Sequence, residues 1–317
     1  MSYWSDKRVV VTGGAGFIGS HVVEALRAKG CEPFVIRSRD YDLTRENEVA
    51  LLYEDTRPQA VFHLAGLVGG IAANKDRPAE FFYQNLMMGT FMLHLGCQFG
   101  VSKFVAAGAG CGYPQDAPMP LNEASFWDGL PQPESAPYSL AKRLLHIQSQ
   151  AYYRQYGFNS VICIPGNVYG PSDNFDLRAS HVVPALVRKF VDAVGSGHNE
   201  VVVWGSGRPT RDFVYAGDVA RGTLMAAERY DGAELVNISS GIETSVRELA
   251  ETTAEVVGFR GEIVWDESEP EGQPRRVFDV TRAQRDLGFR AEVGLRQGLQ
   301  QTVEWYRKNR DVARLAV

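Results

Sequence analysis

The sequence lacks closely spaced cysteines and long apolar runs. Its cysteines are far apart in the chain, at Cys31, Cys97, Cys111 and Cys163, and none belongs to a C-x-x-C pair. This spacing argues against both a zinc site and a disulfide framework, so we expect no bound metal and a reducing compartment. No apolar run approaches the roughly 20 residues that span a bilayer. We therefore expect no signal peptide, no membrane contact and a cytoplasmic location.

The chain also lacks a strong excess of charge of one sign. Its 33 lysines and arginines and 38 aspartates and glutamates give a formal net charge of -5. Proteins that bind nucleic acid through its phosphates need a broad basic surface, and this composition does not supply one. We therefore expect no nucleic-acid partner. The 317 residues, of which 44% are hydrophobic, suffice for a large domain and a smaller lobe.

Strand-like and helix-like segments alternate through the first half of the chain. The pattern predicts strands at 7–12, 33–36, 60–64, 103–107 and 160–164, and helices at 17–29, 79–99 and 138–156. Such alternation predicts an α/β fold with a Rossmann-type, doubly wound parallel sheet. Beyond residue 165 the pattern predicts a smaller mixed α/β lobe. The predicted domains are 1–170 with about 211–240, and 171–210 with about 241–317.

A glycine-rich turn lies between the first strand and the first helix, with the sequence GGAGFIG at 13–19. Glycines allow a tight turn and a close approach of the backbone to a pyrophosphate, and the helix N-terminus offers free N–H groups. We therefore predict that a dinucleotide binds to Gly13, Gly16, Phe17, Ile18 and Gly19. The alternative is a turn that only packs the helix on the strand.

The end of the second strand indicates which dinucleotide binds. It reads Val35-Ile36-Arg37-Ser38-Arg39, where NAD enzymes place an acidic residue for the ribose. A guanidinium matches phosphate geometry, so Arg37 and Arg39 favour NADP(H) over NAD(H). The alternatives are that both arginines are solvated surface charges and that Asp40 binds a ribose hydroxyl, as NAD(H) would require.

Tyr138 and Lys142 are four residues apart in a predicted helix and therefore lie on one helical face. An ammonium close to a phenol favours the phenolate, so we expect a lowered pKa for Tyr138. The pair is suited to donate a proton to a carbonyl that receives a hydride, with Lys142 also able to hold the nicotinamide ribose. Alone, such a pair is more often a surface feature; after a glycine turn in an α/β pattern it indicates a reductase site.

Further motifs accompany these features: VGGIAAN at 68–74, YQN at 83–85, NVYGP at 167–171, SHVVPAL at 180–186 and VWGSG at 203–207. With them the chain resembles, over nearly its full length, the extended short-chain dehydrogenase/reductase family. It is most similar to the GDP-L-fucose synthases, which use NADPH to epimerise C3 and C5 of GDP-4-keto-6-deoxymannose and reduce C4. The resemblance implies an enzyme that acts on a nucleotide-linked sugar, with GDP as the favoured nucleotide.

The resemblance also implies roles for individual residues. Cys111 and His181 would be the acid and base of epimerisation, and Tyr138 and Lys142 the reduction pair. The expected cofactor contacts beyond the glycine turn and the second strand are Leu64, Ala65, Gly66, Asn85, Lys142 and His181. The expected substrate contacts are Asn167, Val182, Lys189, Trp204 and Arg211. A homodimer built on the helices at 79–99 and 138–156 is implied as well.

Several of these residues could have a plainer role. Cys111 could be an inert buried thiol, and His181 a core residue or the start of a helix. Arg211 could simply pair with its neighbour Asp212, and Trp204 could belong to the core. In favour of the catalytic interpretation, a thiol and an imidazole both have reference pKa values near neutrality and can exchange protons there.

One position departs from the family pattern. GDP-L-fucose synthases read GSSC where this chain reads GAGC at 108–111, so Ala109 replaces the serine that hydrogen-bonds the substrate carbonyl. Loss of such a donor costs roughly 100- to 1,000-fold in rate. Either both half-reactions run on a somewhat different 4-keto sugar, hexose or heptose, or epimerisation persists while reduction is weak or lost. The sequence is also compatible with a redox-neutral epimerase that retains NAD(H), and with a dinucleotide-binding sensor or scaffold.

Overall fold

The computed structural model describes residues 2–177, 180–269 and 272–313. The outer ends of the predicted domain ranges, residues 1 and 317, lie outside these. The strands are β1 Val9–Thr12, β2 Phe34–Ile36, β3 Ala60–His63, β4 Lys103–Ala107, β5 Ser160–Pro165, β6 Asn167–Tyr169, β7 Glu200–Trp204, β8 Thr210–Tyr215, β9 Leu235–Ile238, β10 Glu243–Ser245, β11 Glu262–Asp266 and β12 Arg275–Arg276.

The helices connect these strands and cover the sheet. They are α1 Phe17–Ala28, α2 Glu46–Thr56, α3 Ile71–Asp76, α4 Pro78–Gln98, α5 Ala136–Tyr156, α6 Val182–Ser196, α7 Ala216–Arg229, α8 Val246–Val257, α9 Leu295–Lys308 and α10 Arg310–Ala313. Short 3-10 turns occupy Gly110–Gly112, Glu123–Trp127 and Pro133–Ser135. Sequence periodicity did not predict α2, whose apolar face is limited to a few residues such as Val49 and Leu52.

The main sheet is parallel throughout, with the strand order β2-β1-β3-β4-β5-β9. Every residue of β1 and β3 is buried, as expected of strands that are covered by helices on both faces. From β2 the chain crosses back over β1 to form β3, so the order reverses between β1 and β3. Ligands of doubly wound sheets bind in the crevice at this reversal. The predicted Rossmann-type fold class is confirmed.

A second, mixed part of the molecule, here called the C-terminal lobe, comprises β6–β8, β10–β12, α6, α8 and α9. Strand β8 pairs with β6, β10 and β12, and β7 pairs with β11. Buried residues of α6, α8 and α9 form a core of their own around Phe190 and Tyr306. The chain returns to the main sheet as β9 before it enters β10. The domain boundaries drawn from the sequence remain predictions.

Candidate active site

The glycine turn closes against the end of β3 at the reversal of the sheet. Gly13 has a φ of +68°, and a Cβ atom on it would lie 2.7 Å from the backbone nitrogen of Ala65. A Cβ atom on Gly19 would lie 2.0 Å from the carbonyl oxygen of Gly13. Only glycine fits at either position. No side chain caps the N-terminus of α1 at Gly16, so its first N–H groups remain available to an anion.

The two predicted phosphate-binding arginines follow β2 and are exposed. The carboxylate of Asp40 accepts a hydrogen bond from the backbone N–H of Arg37 at 3.3 Å and lies 3.5 Å from Nε of Arg39. Asp40 therefore stabilises the turn itself, and the Arg37 guanidinium forms no ion pair with a carboxylate in the described residues. This arrangement favours a phosphate ligand over a ribose hydroxyl.

A hydrogen-bonded pair joins the carboxyl ends of β1 and β3. Oγ1 of Thr12 and Nδ1 of His63 are 2.9 Å apart, and the backbone N–H of Ala65 donates to the same Oγ1 at 3.3 Å. Burial, assisted by the charge of Lys142, lowers the pKa of His63 to about 3. The imidazole is therefore neutral, and it fixes the segment that continues through Leu64, Ala65 and Gly66.

Asn85 and Lys142 meet at Gly66. A Cβ atom on Gly66 would lie 2.9 Å from Oδ1 of Asn85 and 3.3 Å from Nζ of Lys142. The Asn85 side chain donates to the carbonyl oxygens of Leu67 and Phe81, at 3.0 and 2.8 Å, while its buried Oδ1 has no hydrogen-bond partner among the described residues. A buried acceptor without a donor is costly, so this atom is suited to a ligand that brings one.

Tyr138, Lys142 and Cys111 lie within electrostatic reach of one another. Burial lowers the pKa of Lys142 to about 8, against the opposing effect of Cys111. The pKa of Tyr138 is raised, first by burial and then by Cys111, so the predicted lowering of this pKa is wrong. The reason is that burial and the nearby Cys111 both disfavour the phenolate. Tyr138 therefore carries its proton at neutral pH, as a proton donor must.

Cys111 occupies the middle of the Gly110–Gly112 turn, which begins three residues after β4 ends at Ala107. It is half-buried and lines a cavity together with Tyr113, Met119, Leu121, Gln132, Gln273 and Arg276. Because Cys111 is only half-buried and lines this cavity, it is not a fully buried core cysteine. Ala109 immediately precedes the turn and is buried, so no side-chain hydroxyl lies at the family's serine position.

Arg211 and Arg276 lie opposite each other on β8 and β12. Arg211 donates to the carbonyl oxygen of Thr210 at 2.8 Å, and Arg276 donates to Oε1 of Gln273 at 3.3 Å. Neither pairs with a carboxylate among the described residues. Burial lowers the pKa of Arg211, and the neighbouring Arg276 lowers it further. Two adjacent guanidinium groups without an acid are suited to a multiply charged anion.

The neighbouring Asp212 does not neutralise Arg211. Its buried carboxylate accepts hydrogen bonds from the backbone N–H groups of Ser240 at 3.1 Å, Gly241 at 3.0 Å and Phe278 at 3.4 Å. Adjacent residues of a strand point to opposite faces, which separates the two charges. The pairing of Arg211 with Asp212 is therefore excluded as an explanation of the arginine.

The remaining predicted substrate residues lie on the C-terminal lobe and its border. Trp204 is 57% exposed, so it is not a core residue. Nζ of Lys189 lies 5.4 Å from the centroid of the Trp204 ring and donates to the carbonyl oxygen of Val202 at 2.9 Å. Nδ2 of Asn167 donates to the carbonyl oxygen of Asp212 at 3.1 Å, and Val182 begins α6. An exposed indole beside a cation suits a base that stacks.

His181 is the residue before α6 and is exposed, so it is not a core histidine. No hydrogen bond joins its ring to Cys111, Tyr138 or Lys142 among the described residues. Its role as the second acid or base remains a prediction. Arg276, by contrast, was not predicted from the sequence, although the doubled arginine of Gln273-Pro274-Arg275-Arg276 was a visible signal.

Within the described ranges, no group of three or more His, Cys, Asp or Glu side chains is arranged to hold a metal ion. Among the helices of those ranges, none combines the length and the apolar character that crossing a bilayer requires.

A glycine turn at the reversal of a parallel sheet, beside a tyrosine, a lysine and a thiol, defines a Rossmann-fold enzyme of the dehydrogenase and epimerase class. The chain belongs to the NAD dependent epimerase/dehydratase family, whose profile matches residues 9–239. It is 40% identical over 312 residues to GDP-L-fucose synthase 1 of Arabidopsis thaliana, covering 98% of this chain and 96% of that protein.

Solved structures of the same family are similar over nearly the whole chain. A GDP-L-fucose synthetase from Naegleria fowleri bound to NADP has a TM-score of 0.90 and 29% identity, covering 99% of this chain and 96% of that one. A GDP-D-glycero-L-gluco-heptose synthase from Campylobacter jejuni, crystallised in the presence of NADPH, has a TM-score of 0.87 and 27% identity, covering 96% of this chain and 98% of that one.

Proposed function

We propose that the protein is an NADP(H)-dependent epimerase and reductase of a GDP-linked 4-keto sugar, similar in activity to the GDP-L-fucose synthases. The observation that carries the proposal is the position of Cys111, which lies near Tyr138 and Lys142 and lines the same cavity as Arg276. A thiol near two groups suited to proton transfer thus shares a cavity with a guanidinium that is suited to an anion.

The residues at the sheet reversal fit NADP(H). The glycine turn and the uncapped N-terminus of α1 are suited to the pyrophosphate, and Arg37 and Arg39 to the 2′-phosphate. We propose Leu64, Ala65, Gly66 and Asn85 as further contacts of the dinucleotide, together with Phe17, Ile18 and His181. Lys142 would hold the nicotinamide ribose. One of the two similar solved structures is bound to NADP and the other was crystallised in the presence of NADPH, which supports this choice of cofactor.

We propose that the guanine nucleotide lies on the C-terminal lobe. Arg211 and Arg276 would bind its pyrophosphate through charge-assisted hydrogen bonds. Trp204 with Lys189 would hold the base, and Asn167 and Val182 would border the sugar end. The sugar would then extend towards the cavity that Cys111 and Arg276 line.

The epimerisation requires an acid and a base on opposite faces of the sugar. A proton next to the C4 ketone is acidic, and its removal leaves an enolate that is reprotonated from the other face. We propose Cys111 and His181 for these two roles. In the reduction, NADPH when bound supplies a hydride to C4, and the Tyr138 hydroxyl donates its proton to the resulting oxygen. The Lys142 ammonium stabilises the phenolate that remains.

Ala109 decides how well the second half-reaction proceeds. The decisive experiment is incubation with GDP-4-keto-6-deoxymannose in deuterated water, with deuterium uptake and NADPH oxidation measured together. Uptake together with oxidation at ordinary turnover supports the full reaction, whereas uptake without oxidation identifies an epimerase that has lost reduction. Neither uptake nor oxidation, with this hexose or with a GDP-4-keto heptose, would refute the proposed function.

We further propose a homodimer and a cytoplasmic location. Helices α4 and α5 pack side by side and expose apolar residues, including Tyr83 on α4 and Leu144 and Ile147 on α5. Such residues are suited to a helical interface with a second copy. Sedimentation of the wild type and of an Ile147→Asp variant tests this, because an interface there requires the variant to dissociate.

The state of the cysteines is consistent with the proposed cytoplasmic location. All four, Cys31, Cys97, Cys111 and Cys163, are free, as a reducing compartment requires.

A further inference from the structure

Arg143 is a buried guanidinium without an acidic partner. The residue is 2% exposed, and no carboxylate of the described ranges forms an ion pair with it. Burial accordingly lowers its pKa. A charge in such surroundings is costly unless its hydrogen bonds compensate for the lost water. What the guanidinium binds therefore indicates what the residue is for.

The guanidinium holds two backbone carbonyl groups. Nε of Arg143 donates to the carbonyl oxygen of Gly112, and Nη1 donates to that of Gly129 at 2.8 Å. Gly112 is the residue directly after Cys111. Because Arg143 also follows Lys142 in α5, the helix that presents the ammonium is the same helix that fixes the turn carrying the thiol.

Aromatic rings support this contact on two sides. The guanidinium carbon of Arg143 lies 5.2 Å from the ring centroids of both Phe126 and Trp127. Nε1 of Trp127 donates to Nδ1 of His146 at 3.1 Å, and the two rings stack at 6.2 Å. Burial lowers the pKa of His146 to about 4, so the imidazole is neutral and can accept this bond.

The turn itself has no spare room. A Cβ atom on Gly110 would lie 2.8 Å from Cζ of Phe278, and one on Gly112 would lie 2.9 Å from Cζ of Phe126. Each glycine that flanks Cys111 is thus covered by a phenylalanine ring. These ring contacts restrict where the turn can move. The hydrogen bond from Arg143 to the Gly112 carbonyl oxygen restricts its movement further.

We propose that Arg143 is a positioning residue that sets the place of the Cys111 thiol relative to Tyr138 and Lys142. A misplacement of about 1 Å in a reacting group can cost roughly 100-fold in rate. The assignment of an acid or base role to Cys111 rests on the proposed function, whereas the holding of the turn by Arg143 does not.

The test compares Arg143→Met, which keeps much of the side-chain volume, with Arg143→Lys, which keeps a charge and donors. Arg154→Met, at an exposed position of the same helix, is the matched control. Thermal unfolding and NADPH binding verify that each variant is folded. For deuterium uptake by the GDP-4-keto sugar, we expect kcat to fall roughly 10- to 100-fold in Arg143→Met, less in Arg143→Lys, and KM to change little.

A second measurement needs no substrate. The measurement is the rate at which iodoacetamide alkylates Cys111 at a pH high enough that this rate no longer increases. Under that condition the rate reports access to the sulfur rather than its ionisation. Mass spectrometry of the Cys111 peptide distinguishes this cysteine from the others. We expect a rise of about tenfold in Arg143→Met, with Arg143→Lys between it and the wild type, since a released turn exposes the sulfur.

The proposal would be overturned if Cys111 were alkylated equally fast in Arg143→Met and in the wild type. It would also be overturned if Arg143→Lys lost as much deuterium uptake as Arg143→Met. If the wild-type protein takes up no deuterium at all, the proposed function fails, and the alkylation rates alone decide whether Arg143 holds the turn.

Discussion

Arg276 lies directly opposite Arg211 where β12 pairs with β8, and neither guanidinium has a carboxylate partner in the described part of the chain. Burial lowers the pKa of Arg211, and the like charge of Arg276 lowers it further. We propose that these two groups, held together by the strand pairing, bind one anion that bridges them.

Substitution of either arginine should therefore weaken binding of the nucleotide sugar. Charge-assisted hydrogen bonds contribute about 1.5–3 kcal/mol, so we expect Arg276→Gln to raise the KM for the GDP-sugar roughly 10- to 100-fold. The matched control is Arg275→Gln, because Arg275 is exposed and already paired with Glu243 at 2.8 Å. Steady-state kinetics would contradict the assignment if both variants raised KM equally.

Restoring a hydroxyl at position 109 should accelerate reduction selectively. One hydrogen-bond donor aimed at a developing oxyanion typically raises the rate roughly 100- to 1,000-fold. We expect Ala109→Ser to raise the rate of NADPH oxidation at least about tenfold. Deuterium uptake measures the epimerisation in the same sample and should change little. If oxidation does not increase, Ala109 does not limit reduction.

Removal of the two arginines after β2 should change the preference between dinucleotides. We expect Arg37→Gln with Arg39→Gln to weaken NADPH binding at least about tenfold and to leave NADH binding nearly unchanged, because only NADPH carries the 2′-phosphate. Arg45→Gln is the control, since Arg45 lies nearby and pairs with Asp42 at 3.2 Å. Fluorescence titration distinguishes the outcomes, and a parallel loss of NADH binding would argue against phosphate recognition.

The reduction rate should depend on the protonation of Lys142. Burial disfavours the ammonium and brings its pKa down to about 8, so the charge is present below that pH and is lost above it. We expect the reductase kcat to fall as the pH rises through about 8, because the phenolate of Tyr138 then loses its stabilising neighbour. A kcat that stays constant up to about pH 10 would exclude Lys142 as the group that titrates.

The sequence predicted those features that depend on adjacent residues. The glycine turn was found because a strand, a turn and a helix follow one another within one short segment, and the structure places Gly13 and Gly19 where no side chain fits. Tyr138 and Lys142 were found because four residues make one turn of a helix. Neither inference required knowledge of distant contacts.

The features that the sequence did not predict depend on tertiary contacts. Arg276 meets Arg211 only because β12 pairs with β8, across 65 positions of sequence. Strand β12 has only two residues, which is too short to show a periodicity. The raised pKa of Tyr138 follows from burial, which helical spacing does not report. Helix α2 was missed because its apolar residues, 49–53, follow one another instead of recurring at helical spacing.

The hydrogen bonds of Asp212 have a practical consequence for anyone who redesigns this protein. They connect the strand that presents Arg211 to the segments after β9 and β12, which arrive from separate parts of the chain. A mutant library that diversifies the sugar pocket should therefore keep Asp212 constant, together with Cys111 and Arg276, while it varies other cavity side chains such as Met119 and Gln132.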